Sequence, residues 1–282
     1  MSEAGMTAYI TGGASGIGRA VTLMHVVKGT KVFIADRDLE GAKAFASELN
    51  EDKSEDVAFA VKVDVTDWDQ QLAAFEKVVA QFGRLDYVYP IAGIAERAWL
   101  PTDLKAQGFV KPDLTVLDAD LNGVLWTISL AVQQFRRQEK NKNGFRGKIG
   151  CVASVCGFYC VPTLPVYTAA KHAVNGFVRS YGKYLPEEGI TLNAVCPNVI
   201  RTNISSGAFY DKLEEQGLLT PMDGVVEAYE SMLGSSDVSG ELFEVGPKGG
   251  YKTRPAQEYL DEPSEKVCEL LYHRAHPLQQ PK

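Results

Sequence analysis

Three glycines, Gly12, Gly16 and Gly18, stand between a short apolar run at 8–10 and a helical run at 19–28. A strand that turns into a helix through glycines leaves the helix N-terminus bare. Its free N–H groups and the positive end of its dipole then face whatever binds there. The missing side chains also let backbone come close to a pyrophosphate. The segment Thr11-Gly12-Gly13-Ala14-Ser15-Gly16-Ile17-Gly18 therefore reads as a phosphate-cradling turn, Gly-x-x-x-Gly-x-Gly in spacing rather than the commoner Gly-x-Gly-x-x-Gly. Such a turn opens a parallel sheet covered by helices.

The rest of the chain keeps the alternation this demands. Strand patterns fall at 31–35, 57–63, 85–91, 148–153, 191–195 and 241–245, and helical patterns at 39–49, 68–82, 114–138 and 166–185. The expected fold is α/β: a single-domain, Rossmann-like, doubly wound parallel sheet with helices on both faces. With 282 residues, 45% of them hydrophobic and 23% charged, the chain suits one large core spanning 1–282. Residues 1–110 form mainly the dinucleotide-binding half, 111–250 the catalytic and substrate half, and 251–282 a tail. Two stretches break the rhythm: a polar excursion at 95–112, and a glycine-punctuated segment at 203–240 that reads as a substrate lid. In the tail, Val267, Leu270 and Leu271 recur at helical spacing and predict a docking stripe.

The second strand ends in Asp36, about 20 residues beyond the glycine turn, where a carboxylate accepts hydrogen bonds from adenosine ribose hydroxyls. The same carboxylate repels a ribose phosphate, so the expected cofactor is NAD, with NADP less favoured. Arg37, next in sequence, is the residue that offsets that repulsion in the opposite reading.

Tyr167 and Lys171 are four residues apart within a helical pattern, which puts both side chains on one face. An unperturbed phenol, with a pKa of about 10, is ionised in roughly one molecule in a thousand at neutral pH. Lowering that pKa by about three units takes roughly 4 kcal/mol of preferential stabilisation of the anion. A fixed ammonium supplies part of it, which makes Tyr167 a general acid/base for hydride chemistry.

The net charge of −7 and pI near 5.3 argue against general binding of nucleic acid or anionic membranes. No apolar run reads as a membrane span, and the first strand begins too close to Met1 to leave room for a signal peptide, so a cytoplasmic location is expected. Five cysteines without Cys-x-x-Cys spacing and four scattered histidines give no metal site.

With these motifs in order, the chain resembles the classical short-chain dehydrogenase/reductase family, in particular fungal members likened to 15-hydroxyprostaglandin dehydrogenase. The resemblance covers nearly the whole chain. It implies catalytic roles for Asn122, Ser154, Tyr167 and Lys171: the tyrosine as acid/base, the lysine lowering its pKa and holding the nicotinamide ribose, the serine bonding the substrate oxygen, the asparagine positioning a water near Lys171. It implies a cofactor site made of Gly12, Ser15, Gly16, Ile17, Gly18, Asp36, Arg37, Asp64, Val65, Ala92, Gly93, Tyr167, Lys171, Pro197, Ile200 and Thr202. Substrate contacts are expected from Ser154, Val155, Phe158, Tyr159 and Tyr167, an aromatic and aliphatic set that favours a fairly large apolar or aromatic substrate. Relatives pair through their two long helices, so a homodimer or homotetramer is expected.

Two departures stand out. The family's Asn-Asn-Ala-Gly is Pro90-Ile91-Ala92-Gly93 here, losing two polar side chains, and its Pro-Gly is Pro197-Asn198. The expected activity is NAD-dependent hydride transfer between a secondary alcohol and a ketone. The alternative is an NADP(H)-dependent reductase, or a bifunctional reductase/cyclase of fungal secondary metabolism, on the same scaffold.

Overall fold

The computed structural model describes residues 3–103, 105 and 107–281; residues 104 and 106 of the excursion lie outside the described residues. In chain order the elements are β1 (Thr7–Thr11), α1 (Gly16–Val27), β2 (Lys31–Asp36), α2 (Leu39–Asn50), β3 (Ala58–Lys62), α3 (Trp68–Phe82) and β4 (Tyr87–Pro90). A short α4 (Thr115–Leu117) runs through a π-turn at Asp118–Asn122 into α5 (Gly123–Arg136). Then come β5 (Gly147–Val152), α6 (Pro165–Tyr184), β6 (Ile190–Pro197), α7 (Gly207–Glu215), α8 (Met222–Glu230), β7 (Leu242–Val245), β8 (Tyr251–Arg254) and α9 (Glu262–Gln279).

The sheet runs β3-β2-β1-β4-β5-β6-β7-β8. Its first seven strands are parallel, and β8 is an antiparallel edge paired with β7. β1 and β6 are buried along their whole length, which explains their near-continuous apolar sequences: both faces are covered by helices. One core packs α3, α5 and α6 against the sheet, and a second packs α1, α2 and α8 against the other face. Between β1 and β4 the strand order reverses, which opens the crevice at the carboxyl ends where such sheets bind ligands.

Local chemistry sets the helix starts. The Asp38 carboxylate accepts the Gly41 N–H at 3.0 Å to begin α2, and Asp67 accepts the Gln70 N–H at 3.1 Å to begin α3. α1 is tied beneath the sheet by His25, fully buried, whose ring nitrogens contact Thr30 Oγ1 at 3.1 Å and Tyr89 Oη at 2.8 Å. Burial drives the His25 pKa down to about 3, so the ring is neutral.

Three expectations need amending. The strand at 241–245 does not close the sheet, because β8 adds an antiparallel strand from the predicted tail. The segment 203–240 is not irregular throughout, since it carries α7 and α8, and α8 packs into the core. The helix expected at 114–138 is a membrane-length apolar run after all: Thr115–Arg136 is long and apolar enough to cross a membrane by length and composition. However, 56% of its most apolar 18-residue window is buried within the fold. The tail helix α9 buries no residue fully and rests on Glu187 through Tyr272 and His276, at 2.6 and 2.7 Å.

Candidate active site

The glycine turn is dictated by contact as well as conformation. Gly12 has φ of 65°, and a Cβ there would lie 2.9 Å from Ala92 Cα. A Cβ on Gly18 would lie 2.0 Å from the Gly12 carbonyl oxygen, a distance no side chain can occupy. The start of α1 is thereby pressed against the turn, with its N-terminus open to the crevice.

That crevice is a cleft lined by Gly12, Ser15, Gly16, Ile17 and Gly18 from the turn, by Asp36 and Arg37 after β2, by Asp64 and Val65 after β3, by Ala92 and Gly93 after β4, and by Thr202. These are twelve of the sixteen residues expected to hold a cofactor. Pro197 and Ile200 do not line it, nor do Tyr167 and Lys171. Ile94, Thr115, Ala119 and Val152 line it without having been expected from the sequence. The Asp36 carboxylate accepts the Ala14 N–H at 3.1 Å and the Asp38 N–H at 3.0 Å, which fixes it between the glycine turn and the end of β2.

The loop that lost its two asparagines is held by another residue. The Thr11 hydroxyl oxygen accepts the N–H groups of Ile91 and Ala92 at 3.0 and 3.2 Å, while the Ile91 side chain is buried in the core. Nothing in the sequence of the loop itself pointed to Thr11. On the opposite wall, Thr202 packs its methyl over Gly16, and its hydroxyl is 3.2 Å from Tyr210 Oη on α7.

Ser154, Tyr167 and Lys171 come together where β5 ends and α6 begins. Ser154 Oγ accepts the Cys156 N–H at 3.1 Å, which leaves its proton to donate to the Tyr167 phenol. Lys171 Nζ lies 5.3 Å from the centre of the Tyr167 ring. The first turn of α6 is held from outside: Glu96, in the 95–112 excursion, accepts the Tyr167 backbone N–H at 2.7 Å. Burial raises the Tyr167 pKa, Lys171 lowers it, Asp120 raises it again and the Ser154 hydrogen bond lowers it, for a net upward direction.

Asn122 is the last residue of the π-turn at Asp118–Asn122. Its side-chain amide donates to Asp118 Oδ1 at 3.2 Å on an exposed part of the helix surface. The residue facing Lys171 is Asp120: its Oδ2 is 3.0 Å from Nζ, and the two side chains are 1% and 2% exposed. Asp120 Oδ1 also accepts the Ile94 N–H at 2.8 Å. Both Asp120 and Asn122 belong to the π-turn at Asp118–Asn122.

Phe158 and Tyr159 follow the short turn after Ser154. Tyr159 Oη donates to Glu244 Oε1 at 3.0 Å, and the Arg254 guanidinium from β8 lies over both rings, at 5.2 and 5.9 Å. These contacts tie both side chains to the β7–β8 edge, and Tyr159 is 48% exposed. Val155 occupies the short turn at Val155–Gly157 directly after Ser154.

An α/β sheet with a glycine turn at its crevice and a Ser-Tyr-Lys cluster beyond it defines a nicotinamide-dependent oxidoreductase. The chain belongs to the short chain dehydrogenase family, whose model matches residues 6–212. It is 37% identical over 153 residues to the short-chain dehydrogenase/reductase prx7 of Penicillium rubens, a match covering 52% of this chain and 54% of that protein. It is 32% identical over 203 residues to human 15-hydroxyprostaglandin dehydrogenase [NAD(+)], covering 71% of this chain and 70% of the human one. The fold superposes on a 3-ketoacyl-(acyl-carrier-protein) reductase from Brucella melitensis complexed with NADH, with TM-score 0.73, 25% identity, and coverage of 87% of this chain and 98% of the other.

Proposed function

We propose that this protein is an NAD-dependent oxidoreductase that interconverts a secondary alcohol and a ketone, with Tyr167 as general acid/base. The observation that carries the reading is the Tyr167 phenol, which shares the end of β5 and start of α6 with Ser154 and lies beside buried Lys171. The cleft fits a dinucleotide by its chemistry: a bare helix N-terminus for the phosphates and the Asp36 carboxylate for ribose hydroxyls. When bound, that cofactor supplies or accepts the hydride.

The remaining chemistry belongs to the chain. In reduction, Tyr167 Oη gives its proton to the substrate oxygen; in oxidation it takes that proton away. The Ser154 hydroxyl donates to the same oxygen and stabilises its developing negative charge. Lys171 stabilises the phenolate left behind. Asp36, Asp64 and Thr202 lie on the walls that would orient the cofactor, and the relative named for NAD(+) supports the cofactor preference.

Arg37 lines the same cleft as Asp36 and is the observation behind a second reading, an NADP(H)-dependent reductase. A fluorescence titration separates the two: NADH binding tighter than NADPH supports the first, and the reverse order rejects it. The substrate proposed is fairly large and apolar. Ile204 and Phe209 support this, being 51% and 43% exposed on the 203–240 segment beside the cleft. Pairing of α5 and α6 with a second copy, in the cytoplasm, completes the proposal; the solvent-facing surface of α6 includes Ala169, Ala173 and Gly176, which permit close helix approach.

A further inference from the structure

We propose that Asp120 is a positioning residue that takes Lys171 as its counter-ion and so keeps Tyr167 in its protonated, proton-donating form, leaving the free enzyme poised to reduce a carbonyl. The inference rests on the role given to Tyr167 above and goes beyond it by fixing the protonation state in which the site waits.

The geometry is asymmetric. Lys171 Nζ is 3.0 Å from the Asp120 carboxylate and 5.3 Å from the centre of the phenol ring. A lone ammonium would draw the proton off the phenol. An ammonium paired with a carboxylate acts on it only as a dipole, whose field falls off faster with distance. Both members of the pair are sealed from water, so solvent does not screen the carboxylate from the phenol. The carboxylate is also locked in place: Oδ1 accepts the Ile94 N–H at 2.8 Å, and Oδ2 sits against Gly93, where a Cβ would come within 3.0 Å of it.

Burial of the phenol already favours its protonated form, and Asp120 is the carboxylate that sets itself against the Lys171 charge. Ser154 and Cys156 face the phenol from the loop after β5. The thiols of Cys151 on β5 and Cys196 on β6 face Lys171, and burial holds both protonated. Glu96, from the excursion, spends its carboxylate on the Tyr167 backbone N–H. Where the family resemblance expects a neutral amide beside Lys171, this chain carries a negative charge.

A protonated phenol favours reduction. A reduced nicotinamide, when bound, would supply the hydride from its own C–H bond and be left oxidised; the carbonyl C–O π bond breaks as that carbon is reduced, and the Tyr167 O–H bond breaks as its proton moves to the carbonyl oxygen. The phenolate then regains a proton from solvent. Oxidation requires the phenol to lose that proton first, so its rate climbs with pH while the reductive rate stays flat through neutrality.

The test titrates the Tyr167 phenol in cofactor-free protein by NMR of tyrosine labelled at Cζ, with Tyr167→Phe identifying the signal. The unmodified protein is expected to hold this phenol protonated at least as far as the ordinary tyrosine value of about 10. The isosteric Asp120→Asn, which preserves an oxygen for the Ile94 N–H, is expected to titrate at least about one pH unit lower, tenfold more phenolate at a given pH. Ionisation of Tyr167 near neutrality in the unmodified protein overturns the proposal, even should the variant not fold. An unchanged or higher titration in Asp120→Asn overturns it as well. Turnover retained by Tyr167→Phe would instead remove the acid/base reading itself, a failure distinguishable from these two.

Discussion

The carboxylate of Glu96 accepts the backbone N–H of Tyr167 at 2.7 Å, which ties the 95–112 excursion to the first turn of the helix carrying the acid/base. Helix N-termini leave four N–H groups without intrahelical partners, and a carboxylate there satisfies one of them while complementing the dipole. Removing it with Glu96→Ala costs about 1 kcal/mol of stability, or roughly 2–4 °C in Tm. Because the freed turn bears Tyr167, turnover falls more than substrate binding does. Thermal unfolding together with separate kcat and KM measurements checks both parts.

Asp36 carries the cofactor preference. Like charges about 4 Å apart at an effective dielectric of 20 cost roughly 4 kcal/mol, on the order of a thousandfold in affinity. Solvent reaches this site and weakens the repulsion, so Asp36→Ala is expected to narrow the NADH-over-NADPH gap by about tenfold or more. Fluorescence titration of both reduced cofactors reads the ratio; an unchanged ratio removes Asp36 from the account. The variant also frees the Ala14 N–H that the carboxylate accepts, so weaker binding of both cofactors accompanies the narrowing.

How much of this was legible in the sequence depends on the range of the interactions. The glycine turn and the Tyr167–Lys171 pair are local patterns, and the chain folds them as the spacing predicts. Asp120 was missed because both Asp120 and Asn122 belong to a π-turn, where a 3.6-residue period does not say which side chain faces inward. The packing of Arg254 over Phe158 and Tyr159 was not legible, because nothing near them in sequence announces the edge strand that carries it. Thr11 replaces the lost asparagines across a gap of 80 residues, a compensation only the packed sheet reveals.

His25 gives the fold a pH dependence. Its folded pKa of about 3 lies below the ordinary 6.5, so below 6.5 the unfolded chain binds a proton that the folded chain refuses. Its contribution to stability is therefore complete above pH 6.5 and is lost progressively as pH falls toward about 3. Denaturant unfolding at a series of pH values across that window is expected to show declining stability. His25→Gln, which cannot titrate, is expected to flatten the slope even though it is less stable at neutral pH.

The most direct measurement is turnover and cofactor affinity of Tyr167→Phe, which removes one oxygen and keeps the ring. The account predicts nearly unchanged NADH binding and loss of substrate-dependent change in nicotinamide absorbance, in both directions, across a panel of ketones and alcohols. Turnover of any substrate in that panel at close to the unmodified rate would contradict it.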